Sequence, residues 1–163
     1  MKIAILGTGL MGTALAEAML SAGHEIIVYN RTTAKTASLV ALGATATQTP
    51  ADAIIAADAI IIVLPDARSV RELLFSDETR MALKGKKLLN ASTTKPDEII
   101  EIAREITANG GILAEMSIMI GPDELRGREG QFILGCNAID AAFWTGLLNS
   151  IAKRVDRAGE VGD

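Results

Sequence analysis

The residues best placed to do chemistry stand near the start of the chain, where Gly7-Thr8-Gly9-Leu10-Met11-Gly12 carries glycines at the spacing G-x-G-x-x-G. The apolar run Lys2–Leu6 precedes them, and Leu10, Ala14, Leu15, Ala18 and Met19 follow on one helical face. A strand-glycine-helix context gives each glycine a mechanical reason. Gly7 permits the tight turn, Gly9 lets a diphosphate approach the backbone, and Gly12 lets the helix pack on the sheet. The unpaired N–H groups of the helix's first turn, at the positive end of its dipole, would hold the anion. A plain strand-to-helix turn could use the same three glycines.

A second group ends the next apolar run. In dinucleotide sites that select NAD(H), an Asp or Glu about 20 residues past the glycines accepts hydrogen bonds from the ribose 2′-hydroxyl. Here Ile26-Ile27-Val28-Tyr29 closes on Asn30-Arg31-Thr32, with no acid. A guanidinium there can grip a 2′-phosphate through a fork of charge-assisted hydrogen bonds and stack on the adenine, so the expected cofactor is NADP(H). The alternative makes Asn30 a helix cap and Arg31 a solvated charge.

Other candidates are weaker. Asp66, after Leu64-Pro65, stands where a helix N-cap is needed. Ser92-Thr93-Thr94 could be a polar turn before Pro96, itself well placed as a first helical residue. Lys95 reads as a solvated side chain. Asp123, Glu124 and Glu129 are interleaved with Arg126 and Arg128, as in a solvated loop. His24 is the one histidine, which rules out a triad or a multi-histidine metal site, and it reads as a solvated turn residue. Cys136 has no partner and reads as a buried thiol; no metal-ligand cluster is seen. Phe143 and Trp144 are expected to pack internally or against a further domain.

These groups need a scaffold, and the chain alternates short apolar runs with amphipathic stretches throughout. Strands are predicted over Lys2–Leu6, Glu25–Tyr29, Ala59–Leu64, Lys87–Asn90, Gly111–Ala114 and Gln131–Gly135, with weaker ones near Ala44–Thr47 and Arg154–Asp156. Helices are predicted over Leu10–Ser21, Thr33–Leu42, Ala51–Ala56, Ala67–Phe75, Pro96–Ala108 and Ile139–Ile151, and Gly121–Gly130 is expected to be irregular. The order is that of an α/β Rossmann fold, a doubly wound and mainly parallel sheet with helices on both faces. Hydrophobic residues make up 49% of the 163 but aromatics only 3%, so the core must be aliphatic, as strands buried on both faces require. A net charge of −4 argues against nucleic acid or anionic lipid as partner. The first apolar run is too short for a signal segment or a membrane span, and a cytoplasmic location is expected.

Taken together, the glycine loop, Asn30-Arg31-Thr32, Leu64-Pro65-Asp66 and Asn90-Ala91-Ser92-Thr93-Thr94-Lys95-Pro96 resemble the β-hydroxyacid dehydrogenase superfamily in order and spacing. That superfamily includes 6-phosphogluconate and 3-hydroxyisobutyrate dehydrogenases and imine reductases. The resemblance covers essentially the whole chain. It implies that Gly7, Thr8, Gly9, Leu10, Met11, Gly12, Asn30, Arg31, Thr32, Leu64, Pro65, Asp66 and Thr93 meet the cofactor, with Leu64-Pro65 along its ribose and Thr93 near the nicotinamide ribose.

In hydroxyacid dehydrogenases of this group, a serine and glycines after the sixth strand contact the substrate carboxylate. Here the segment reads Glu115-Met116-Ser117-Ile118-Met119-Ile120-Gly121-Pro122, similar to imine reductases, with Met119 at the serine's position. Ser117 and Met119 are then the expected substrate contacts, unless Ile118-Met119-Ile120 is a buried strand extension. Family members continue into an all-helical domain that carries the catalytic lysine or other proton donor and the homodimer contact. The expected organisation here is a cofactor domain over residues 1–157 and the start of a linker over 158–163, with that helical domain absent and no catalytic residue assigned. The implied activity is hydride transfer between NADPH and a small C=O or C=N substrate. A non-catalytic NADP(H)-binding module and a 3-hydroxyacid dehydrogenase using NAD(P) are the alternatives.

Overall fold

The computed structural model describes residues 1–163. In chain order the elements are β1 (Lys2–Leu6), α1 (Leu10–Ser21), β2 (Glu25–Tyr29), α2 (Ala37–Ala41), β3 (Thr45–Ala46), α3 (Pro50–Ala56), β4 (Ala59–Ile62), α4 (Ala67–Leu74) and α5 (Asp77–Ala82). There follow β5 (Lys87–Asn90), α6 (Pro96–Ala108), β6 (Ile112–Ile118), α7 (Pro122–Arg126), β7 (Gly130–Gly135), α8 (Ala138–Leu148) and β8 (Ala152–Gly159). All strands join one sheet in the order β3-β2-β1-β4-β5-β6-β7-β8, and every pairing is parallel except β6 with β7.

Successive strand residues point to opposite faces, and each face has its own helix layer. Ile3 and Ile5 of β1 share one core with Leu15 of α1, Leu39 of α2, Leu125 of α7 and Trp144 of α8. Ala4 and Leu6 share the other with Ile54 of α3, Val70 of α4, Ala82 of α5 and Ile102 of α6. This is the doubly wound architecture expected from the sequence. None of the helices is long and apolar enough to cross a membrane.

Several boundaries differ from expectation for local reasons. The helix expected over Thr33–Leu42 divides into a 3₁₀ turn, Thr33–Thr36, and the short α2. The stretch 121–130 contains α7, which starts at Pro122 and is tied to α1 by Arg126 bridging Asp123 and Glu17. Helix α5 was not anticipated, although Ser76 caps it by accepting the Thr79 N–H and Asp77 and Glu78 occupy its first turn. It is too short to show an amphipathic repeat. Strand β6 runs four residues past Ala114, to Ile118, because antiparallel β7 supplies partners for it.

An ion pair with a buried carboxylate ties β5 to α8. Asp140, 4% exposed, pairs with Lys87 and also accepts from Asn137 Nδ2 at 2.8 Å. Burial pushes the Asp140 carboxyl up, but the hydrogen bonds from Lys87 and Asn137 and the Lys87 charge outweigh it and leave the group below its ordinary value. With the folded value depressed, the stabilisation is complete above the unfolded carboxylate value of about 4 and is lost as pH falls through the folded one. Asp140→Asn is therefore expected to cost about 1–3 kcal/mol at neutral pH and to flatten the acid limb of a Tm-against-pH profile. An unchanged profile would show that the pair contributes nothing.

Candidate functional site

Ligands of open parallel sheets bind beyond the carboxyl ends of the strands, where the strand order reverses. That point lies between β1 and β4, and the glycine loop occupies one side of it. Gly7 has φ +105°, and a Cβ there would stand 2.2 Å from the Val63 carbonyl oxygen, so both conformation and space exclude a side chain. At Gly12 a Cβ would fall 2.0 Å from the Gly7 carbonyl oxygen, so α1 can approach the turn only with glycine there. Gly9 differs, because a Cβ there would meet no protein atom within 4 Å. The protein's own packing does not require that glycine; the space in front of it is left open.

The start of α1 suits an anion. No side chain caps it and no acid stands in its first turn, so its leading N–H groups and dipole are uncompensated. The room in front of Gly9, the bare helix start and a cleft of ≈ 620 Å³ that they line together fit the diphosphate of a dinucleotide. Leu10, 81% exposed, and Met11 also line this cleft, whereas Thr8 is buried beneath it.

Asn30 does not cap a helix. Its Oδ1 accepts the Thr8 N–H at 3.1 Å and its Nδ2 donates to the Thr32 carbonyl at 3.0 Å, fastening the glycine loop to the turn after β2. Arg31 and Thr32 line the cleft beside it. Lys35, overlooked in the sequence, lines the same wall, and neither it nor Arg31 has an ion-pair partner. Glu72, the acid lining this cleft, is bound to Arg68 at 2.7 Å. The β2 end of the cleft thus presents two free cations.

Across the crevice, Leu64 and Pro65 separate this cleft from a second one of ≈ 480 Å³, and the two share Met11, Val63, Leu64 and Pro65 as wall. The Leu64 N–H donates to Ser92 Oγ at 2.9 Å, while buried Asn90 donates to the Ser92 carbonyl at 3.2 Å and accepts the Ser92 N–H at 3.3 Å. Ser92 is therefore a latch between the loops after β4 and β5, and it holds Thr93 and Thr94 in the second cleft. Asp66 takes the alternative role: its Oδ1 accepts the Ser69 N–H at 2.8 Å as the cap of α4, and it lines neither cleft. That backbone hydrogen bond, with help from the Ser69 side chain and Arg68, holds its carboxyl below the ordinary value.

The far wall of the second cleft comes from β6, with Glu115, Met116, Ser117 and Ile118. Ser117 thus lines the second cleft. Met119 does not: it lies past the strand's end, 58% exposed and outside both clefts, with its N–H donating to the Gln131 carbonyl. It is neither a cleft residue nor a buried extension.

Lys95, Cys136 and His24 line neither cleft. Lys95 is exposed before α6. Cys136 is 1% exposed and burial pushes its thiol up, which suppresses the nucleophilic thiolate. His24 is half-buried rather than solvated, with Nε2 3.1 Å from Ser150 Oγ, and burial together with the N-terminal charge lowers its pKa. No group of three or more His, Cys, Asp or Glu side chains could hold a metal ion.

Comparison with known proteins identifies the family and the fold. Residues 2–159 match the family described as the NAD binding domain of 6-phosphogluconate dehydrogenase. The 2-hydroxy-3-oxopropionate reductase of Escherichia coli is 32% identical over 100% of this chain and 56% of its own length. An imine reductase from Myxococcus stipitatus, solved in complex with NADP+, superposes with a TM-score of 0.94 at 30% identity, over 99% of this chain and 56% of that one. A variant of the reductase from that organism, solved with NAD+, also has a TM-score of 0.94, at 27% identity over 99% of this chain and 56% of that one. The chain spans little more than half the length of these relatives.

Proposed function

Since the chain belongs to the family of the NAD binding domain of 6-phosphogluconate dehydrogenase, we propose that it holds NADP(H) for an oxidoreductase that moves hydride between the nicotinamide and a small C=O or C=N substrate. The observation that carries the cofactor choice is the pair of free cations, Arg31 and Lys35, on the cleft wall where an NAD(H) site places an acid. Family membership alone leaves the choice open, since a structural neighbour is solved with NADP+ and a variant from the same organism with NAD+. Two cations without partners gain most from a dianionic 2′-phosphate, and a bare hydroxyl offers them nothing comparable.

The remaining residues take positions on this reading. The α1 start and Gly9 hold the diphosphate, Asn30 keeps the glycine loop in register with Arg31, and Ser92 orients Leu64 and Thr93 along the second cleft. The bound nicotinamide supplies the hydride chemistry, and the chain supplies orientation. Ser117 is the substrate contact. The second cleft has no Lys or Arg in its lining, which favours an uncharged carbonyl or imine carbon over a carboxylate-bearing hydroxyacid.

Titration calorimetry with NADPH and NADH tests the cofactor reading. Wild type is expected to bind NADPH more tightly, and Arg31→Ala and Lys35→Ala each to weaken NADPH about ten- to a hundredfold with little effect on NADH. Equal affinities in wild type, or an unchanged NADPH affinity in Arg31→Ala, would overturn it.

A further inference from the structure

The two clefts have opposite electrical character. The first carries the free cations Arg31 and Lys35; in the second the one charged side chain in the lining is Glu115. The register Asn90↔Glu115 sets that carboxylate at the ligand end of the sheet, beside the loop that carries Thr93. On the cofactor reading above, on which this inference rests, that is the nicotinamide end.

Glu115 is held in place without being neutralised. Its Oε1 accepts the Gly162 N–H at 2.5 Å, and its hydrogen bond thus comes from backbone rather than from a cation. The slot is close-fitting: a Cβ at Gly135 would lie 2.8 Å from the same oxygen, and one at Gly162 would lie 2.6 Å from Ile100 on α6. A half-buried, immobilised carboxylate with no counter-ion acts on its neighbourhood through less screening than a mobile surface charge. We propose that Glu115 sets the redox preference of the site, favouring the cationic nicotinamide ring of NADP+ over the uncharged dihydronicotinamide of NADPH.

The two forms differ in charge at that ring and are otherwise closely matched, so the ratio of their dissociation constants isolates the effect. Glu115→Gln keeps an acceptor for the Gly162 N–H and removes the charge; Glu115→Asp keeps the charge and shortens the reach. Calorimetric titration of the full chain with NADP+ and with NADPH is expected to show NADP+ binding weakened roughly three- to tenfold relative to NADPH in Glu115→Gln. In Glu115→Asp the ratio is expected to stay near the wild-type value. A structural role alone would lower both affinities together, and thermal unfolding of each variant checks that it is folded. An unchanged ratio in Glu115→Gln, with both nucleotides still bound, would overturn the proposal alone. A wild-type chain that binds neither nucleotide would overturn the cofactor reading and this proposal with it.

Discussion

Gly9→Val is expected to leave the chain folded and to abolish nucleotide binding, whereas Gly12→Val is expected to damage both. Gly9 has φ −73° and ψ −170°, extended backbone that valine readily adopts, and a Cβ there meets no protein atom within 4 Å. The new side chain would instead occupy the room in front of the α1 N–H groups and exclude the diphosphate. The valine at position 12 would drive its Cβ into the Gly7 carbonyl oxygen, 2.0 Å away, and that oxygen belongs to backbone already confined by φ +105°. The helix must then lift off the sheet, at about 3 kcal/mol or more, a large share of the roughly 5–15 kcal/mol that holds a domain together. Urea unfolding followed by circular dichroism reads the stability, and calorimetry with NADPH reads binding. Wild-type affinity in Gly9→Val would remove the diphosphate from this loop and with it the main support for a dinucleotide.

Trp144→Ala is expected to cost about 3–5 kcal/mol, the largest loss from any single core truncation here. Trp144 is fully buried on α8, with Phe143 edge-on at 5.0 Å and 79°, and it packs in the same core as Phe132 and Leu134 of β7. Strand β7 in turn pairs with β6 through Ser117↔Ile133 and Glu115↔Gly135. Loosening α8 therefore reaches the wall of the second cleft. Trp144→Phe should cost much less, about 1 kcal/mol, because the indole N–H is buried without a partner and its removal relieves an unmet donor as volume is lost. Urea midpoints for the two variants test this. Equal damage from both would mean that the indole N–H makes a bond that stabilises the core.

Legibility in the sequence followed the range of the interactions. The strand, glycine loop and α1 could be read directly, because the left-handed turn at Gly7 and the clash at Gly12 arise within a few residues of chain, even though the Val63 contact that also excludes a side chain at Gly7 comes from a distant strand. Helix α6 was equally clear from Pro96 at its start and Ile99, Ile102 and Ile106 on its buried face. Lys35 was missed although Arg31-x-x-x-Lys35 was visible, since a surface lysine carries no sequence signal of its own and only the folded turn after β2 shows it on the same cleft wall as Arg31. For Asp66, both a cofactor role and a cap fitted the spacing; the Ser69 N–H decided for the cap. Met119 suited a substrate contact by position in the chain, and the end of β6 at Ile118 left it outside the cleft.

By itself the sequence determined the α/β order, the place of the glycine loop and the absence of an acid after β2. Each depends on residue type, periodicity or a steric conflict that the local chain imposes. Only the tertiary structure decided that Asn30 fastens the glycine loop, that Ser92 latches two loops across the crevice and that Glu115 stands beside Asn90. Those three depend on which strands lie next to one another and in what register. Burial of both sheet faces sets that pairing, and residues 22, 28 and 25 positions apart in the chain meet only when the whole core closes.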